Sequence, residues 1–260
     1  APSAAPAAAL PATTPSGTPG EVPYYYTRAI TAADLQNRPL KELALIRNTI
    51  YARAGNPFRK AWLNEYFSSQ PWYKPGVGVD TTKLSTLDYK NAEFVADYEA
   101  RLTRAELVSR RDRLIAQMKR DGDGDGVELV LLARALGENA WNYEIQVDHS
   151  AAEMEVSPFD DPRILDGLVR VDQLRDLSRR DLRILRNMVY ARHGRSFKSE
   201  LLQLHFERQS WYKPDPNYSD AMLSEVDKRN VQIIRSVEDS LGGPLTDYQH
   251  KSEEGWFTAA

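Results

Sequence analysis

The chain has 260 residues, of which 42% are hydrophobic and 10% aromatic, with a formal net charge of −3 and no cysteine. That content supports packed cores, and interspersed charges of both signs argue against a nucleic-acid partner, which needs a concentrated basic face. The absence of cysteine excludes disulfides, thiolate chemistry and cysteine-ligated zinc, and no apolar run reaches the ~20 residues of a membrane-spanning helix.

Ala1 to Gly20 contain only Ala, Pro, Ser, Thr, Gly and one Leu, without charge. Such a stretch cannot bury apolar area to offset its ordering, so residues 1–28 are expected to be a flexible tether. An Ala/Pro tether in a chain that does not begin with Met suits a secreted or membrane-anchored protein with a lipid anchor upstream.

Thr31-x-x-Asp34 has the form of a helix start and predicts a short helix through Leu35. The next helix runs from Pro39, a favourable first-turn residue, to Ala54, with Leu43, Ile46, Ile50 and Ala54 marking one buried face. Gly55 follows, where a left-handed cap residue belongs. A third helix covers Lys60 to Ser68, with Leu63 and Phe67 four apart. Trp72-Tyr73-Lys74-Pro75 then breaks the helical period, since Pro75 favours an extended Lys74. Ser85-x-x-Asp88 opens a fourth helix, and with no Gly or Pro between Leu84 and Arg120 that helix is predicted to continue to Lys119.

Residues 101–168 read as a connecting segment. It holds the run Asp121 to Gly126 with Asp at alternate positions, a helical stretch Val127–Leu136, and Trp141–Val147, whose alternation predicts a short strand. Ser157 to Gly167, with two prolines, reads as a loop.

From Val169 the earlier pattern returns at an offset of 139 positions. Aligning 30–99 with 169–238 without a gap gives 21 identities in 70 positions. Arg47-Asn48-x-x-Tyr51-Ala52-Arg53-x-Gly55-x-x-Phe58 is mirrored by Arg186-Asn187-x-x-Tyr190-Ala191-Arg192-x-Gly194-x-x-Phe197, and Gln70-x-Trp72-Tyr73-Lys74-Pro75 by Gln209-x-Trp211-Tyr212-Lys213-Pro214. This spacing is far longer than a solenoid repeat and marks a duplicated domain. The fold class is therefore mainly α: two similar small helical domains, 29–100 and 169–241, joined by a helical connecting region with a short β element. The tail 242–260 has no strong period.

Tyr190-Ala191-Arg192-His193-Gly194 resembles the signature of the bacterial YARHG domain family. The matching Tyr51-Ala52-Arg53-Ala54-Gly55 departs from it by Ala54 in place of His. The resemblance extends to the preceding Arg-Asn pair, the Phe after the Gly, and the Trp-Tyr-Lys-Pro segment, and spans both copies. It implies an extracytoplasmic compartment and brings no established catalytic activity.

Two readings of the repeated residues follow. In one, they lock the helix–turn–helix corner: Arg47 with Tyr51 and Arg186 with Tyr190 stand four apart and can stack, while Arg53 and Arg192 suit the last helical turn. Asn48, Asn187, Asn91 and Asn230 are then expected to bond backbone in adjoining loops. In the other, Arg47, Tyr51, Arg53, Trp72, Tyr73, Arg186, Tyr190, Arg192, His193, Trp211 and Tyr212 line a groove for a sugar or a carboxylated ligand. The structural reading is the stronger, because Trp and Tyr in units this small are mostly partly buried core. His193 has Ala54 as its equivalent and His205 has Tyr66, so no catalytic device common to both copies depends on either. Of the shared acids, Asp88 and Asp227 are explained by capping, whereas Glu99 and Glu238 have no evident partner. No nucleophile elbow, zinc-protease helix or phosphate loop occurs.

The one cofactor candidate is calcium, at Asp121, Asp123 and Asp125 with Glu128, which match the first half of a calcium loop without its bidentate Glu. The expected protein is thus a non-catalytic module of the bacterial envelope. Its partner would be an envelope protein or a cell-wall polymer, and glycan or carboxylate binding is the alternative.

Overall fold

The computed structural model describes residues 23–143, 145, 150–157 and 159–253, and the statements below concern those residues. Most of the expected tether, positions 144 and 146–147 of the predicted strand, and the end of the tail lie outside them. The described chain is helical, with one isolated antiparallel bridge between Lys60 and Glu155 and no strand. No described helix is long and apolar enough to cross a membrane.

The first copy contains α1 (Ala32–Leu35), α2 (Leu40–Arg53), α3 (Ala61–Ser68) and α4 (Thr86–Ala100). As the capping signatures predict, Thr31 with Asp34 and Ser85 with Asp88 form reciprocal capping boxes that satisfy first-turn N–H groups. Leu43, Ile46 and Ile50 of α2 meet Ala92 and Val95 of α4 in one core, and Phe58, Leu63, Phe67 and Tyr73 form a second on the other side.

The fourth helix does not continue to Lys119. It ends at Ala100, and Thr103 starts α5 (Arg104–Asp121) with its own capping box to Glu106. The break lets the chain fold back. Leu107 of α5 and Leu132 and Leu136 of α6 (Gly126–Leu136) enter the α2–α4 core, which one straight helix would leave open. The connecting segment is in this way part of the first unit's packing. Tyr25, within the 1–28 stretch, is buried in that core too.

Ala140–Tyr143, where a strand is predicted to begin, is a 3-10 helix. The Asn139 side chain accepts from the Trp141 N–H at 3.0 Å, a local turn bond that competes with extended pairing. After α7 (Ser150–Glu153), Met154 and Val156 bond the backbone of Ala61 and Arg59. Pro162–Leu165, predicted as loop, is a 3-10 turn capped by Asp161.

The second copy repeats the plan. A 3-10 turn, Val171–Leu174, replaces α1, followed by α8 (Arg179–Ala191), α9 (Glu200–Glu207) and α10 (Glu225–Ser240). Leu182, Leu185 and Val189 share a core with Leu202, Phe206 and Ile234, joined from outside the repeat by Phe159, Ile164 and Leu165. The tail adds α11 (Asp247–Ser252), whose His250 is buried.

The units are joined through the loop after Pro75. Val77 of the first copy is buried in the second copy's core, and Gly78 O accepts from Gln173 Nε2 at 3.0 Å. A Cβ on Gly78 would come within 2.8 Å of Gln173 O, so the approach depends on glycine.

Candidate functional site

The repeated residues assemble the same corner twice. At the end of α2, Gly55 has φ +80°, and Gly194 has φ +84° at the end of α8. The Gly55 carbonyl accepts from Gly76 N and the Gly194 carbonyl from Asp215 N, both at 2.8 Å. The buried Tyr73 donates its hydroxyl to Asn56 O, and Tyr212 to Arg195 O, at 2.7 and 2.8 Å. Stacked rings back each corner: Phe58 on Phe67 at 4.5 Å and Phe197 on Phe206 at 5.1 Å.

The shared arginines reach the acids that lacked an evident partner. Arg47 Nη1 bonds Glu99 Oε2 at 2.7 Å, and Arg186 Nε bonds Glu238 Oε2 at 2.6 Å. Burial pushes the Glu99 carboxyl up, with Arg47 opposing it. The guanidinium groups expected to stack on Tyr51 and Tyr190 are thus engaged with carboxylates, and it is Arg195 that lies over the Tyr190 ring, at 4.7 Å.

Asn91 and Asn230 do bond adjoining backbone. Asn91 accepts from Ile30 N and donates to Tyr25 O and Arg28 O, while Asn230 accepts from Val169 N and donates to Leu165 O and Gly167 O. Each buried amide so fastens the segment entering its unit. Asn48 and Asn187 instead donate to Ala44 O and Arg183 O, one turn back on their own helices.

The signature pentapeptide solves one problem in two ways. In the first copy Arg53 lies 3.6 Å over the Tyr26 ring and reaches the capping Asp88 at 3.3 Å. In the second, His193 takes the corresponding acid, with Nε2 3.1 Å from Asp227 Oδ2, and Arg192 pairs with Asp166 at 2.6 Å. Burial alone would raise the Asp227 carboxyl, but the Ser224 and His193 bonds outweigh it and hold it below the usual range. Of the remaining candidates, Tyr51 packs on the core, Trp72 is 44% exposed, and the half-buried Trp211 donates its indole N–H to Asp160 O at 2.7 Å.

The Asp-rich loop does not gather its carboxylates. Asp121 pairs with Arg120, Asp123 accepts from Gly124 N, and Asp125 caps α6 through Glu128 N while pairing with Lys41 at 2.8 Å. The buried Glu128 accepts from Leu40 N and Lys41 N at 3.0 and 2.7 Å, and so caps α2 from another helix. Among the described residues no group of three or more metal-binding side chains is placed to hold an ion.

Between the units lies a cleft of about 460 Å³. Asn64, Ser68 and Tyr73 line it from the first unit, and Asp160, Asp161, Arg163 and Trp211 from the second. Sequence reasoning singled out Trp211 and Tyr73 but missed the acids, because they lie outside the repeat.

Compared with known protein families, the sequence matches the YARHG domain twice, over residues 20–100 and 159–239, together more than half of the chain. No curated protein and no solved structure matches it.

Proposed function

We propose, from the premise that this chain belongs to the YARHG domain family and carries two copies of its domain, that it is a non-catalytic interaction protein of the bacterial envelope. It acts outside the cytoplasm, and its tandem modules bind an envelope protein or a cell-wall polymer. The observation that carries this reading is where the shared polar residues go. Arg47, Arg186, Asp88, Asp227, Asn91 and Asn230 are each engaged inside their own unit. The repeated set therefore serves as the frame, and recognition falls to the surfaces it holds in place. Duplication raises the local concentration of modules on a repetitive target.

A sugar or carboxylate ligand at the corner is the second reading. Arg47 and Arg186 already hold carboxylates there, which weakens the carboxylate arm and leaves the aromatic arm, favoured by the exposure of Trp72.

The test is cosedimentation of the full chain with purified insoluble cell wall, together with an assay for newly released reducing ends. Binding without release is expected. Release of soluble fragments would overturn the non-catalytic reading, and no binding to cell wall or to washed envelope membranes would overturn the interaction reading.

A further inference from the structure

We propose that the cleft between the two units binds a neutral saccharide, with a sugar ring on the Trp211 indole and ring hydroxyls on the Asp160 carboxylate and the Asn64 amide. This goes beyond a role in the envelope, because a soluble sugar can occupy the cleft whether or not a wall polymer is engaged.

The platform is set before any ligand arrives. The Trp211 indole N–H is tied to Asp160 O at 2.7 Å, and the ring meets Phe206 edge-on at 6.0 Å. A ring held on two sides loses little freedom on binding, which is where much of the cost of recognition lies. An indole face is apolar and suits the C–H face of a sugar ring. About 460 Å³ lies within the range of small-ligand sites.

The polar lining selects the ligand class. The cleft's charged residues are Asp160, Asp161 and Arg163, and Arg163 is already paired with Asp161 at 2.5 Å. Two carboxylates against one engaged guanidinium leave the cleft net negative, which disfavours a phosphate or a carboxylate. Both Asp161 oxygens accept from Arg163, so the Asp160 carboxylate is the charged acceptor left for hydroxyl groups, and such charge-assisted bonds are stronger than neutral ones. Asn64 donates to Phe58 O at 3.2 Å and keeps its amide oxygen as an acceptor, while the Ser68 hydroxyl is exposed at the wall. One apolar ring face surrounded by acceptors is complementary to a polyhydroxyl ring.

The duplication makes one such site, because the equivalent Trp72 does not line the cleft. One saccharide per chain is therefore expected, against two per chain if the ligand used the corner present in both copies.

The experiment is calorimetric titration of the full chain with N-acetylglucosamine, its β-1,4 dimer, cellobiose and maltose, and with glucuronate as the anionic control. A neutral sugar should bind at one site per chain and in preference to glucuronate. Trp211→Ala should weaken it by at least about tenfold, as loss of an aromatic anchor does, and Trp72→Ala should leave it unchanged. Ser68→Trp, at an exposed position, should block the cleft without touching the core and serves as the second variant if Trp211→Ala misfolds. Failure of all four neutral sugars, two equal sites, a preference for glucuronate, or parental affinity in Ser68→Trp would overturn the proposal. Wall cosedimentation does not enter this test, so the two readings fail separately.

Discussion

Arg186 donates from Nε and Nη2 to the two carboxylate oxygens of Glu238, at 2.6 and 3.3 Å, and Glu238 is fully buried. The first copy carries the same pair, Arg47 to Glu99, with a single 2.7 Å bond and more solvent at both ends. Both tie the YARHG helix to the helix that closes the unit.

The difference in burial sets a difference in cost. Removing one partner of a buried ion pair leaves an uncompensated charge and costs about 3–5 kcal/mol, whereas partly exposed pairs contribute about 1 kcal/mol or less. Glu238→Ala should therefore destabilise the protein by about 3 kcal/mol and Glu99→Ala by about 1 kcal/mol. Urea denaturation of both variants checks this, and equal losses would mean that burial does not set the cost.

The two glycines give a second paired comparison. A Cβ at position 55 would meet Lys74 O at 3.4 Å, but one at position 194 would meet Lys213 O and the Asp215 side chain at 2.8 Å. Both substitutions incur the left-handed backbone penalty of about 1–2 kcal/mol. Gly194→Ala also has to displace backbone, so its melting temperature should fall further than that of Gly55→Ala.

Glu128 caps a helix that has Pro39 where the second copy has Ser178. Glu128→Ala should leave the N–H groups of Leu40 and Lys41 without their acceptor and cost about 1–3 kcal/mol. The same substitution separates capping from calcium binding. If Glu128 only caps, titrated calcium should raise the melting temperature of neither protein, whereas a calcium-dependent rise in the parent that the variant lacks would support the metal reading.

His250 makes the second unit sensitive to acid. Among the described residues neither ring nitrogen has a hydrogen-bond partner. Around the ring stand Arg180 and Arg183 of α8, His205 of α9 and Asp247 of α11 itself. Burial first, and then the nearby cations, push its pKa from 6.5 down to about 4. The unfolded chain takes up this proton near pH 6.5 and the folded one only near pH 4, so the contribution is complete above pH 6.5 and lost as pH falls towards 4. Asp247, held below the usual carboxylate range chiefly by Arg183, stays ionised over most of that window. Melting temperatures from pH 7 to 4.5 should fall by several degrees for the parent and distinctly less for His250→Phe. Parallel curves would show that His250 is not responsible.

Sequence alone determined the duplication, the helical class, the capping boxes of Thr31 and Ser85, and the left-handed Gly55, which the repeat carries to Gly194. These are local properties: a Ser-x-x-Asp box closes within one turn, and a glycine past an apolar stripe meets its steric requirement where it stands. Tertiary structure decided the rest, because the remaining groups are far apart in sequence. Glu99 lies 52 positions from Arg47, Glu128 lies 88 from Leu40, and Val77 is buried only because the second unit covers it. Thr103, whose capping box with Glu106 lies inside the stretch expected to be one helix, starts α5 at a place that has its packing reason only once Leu107 reaches the first core. A hydrogen bond or an ion pair is set by distance in space, and only the folded chain supplies that distance.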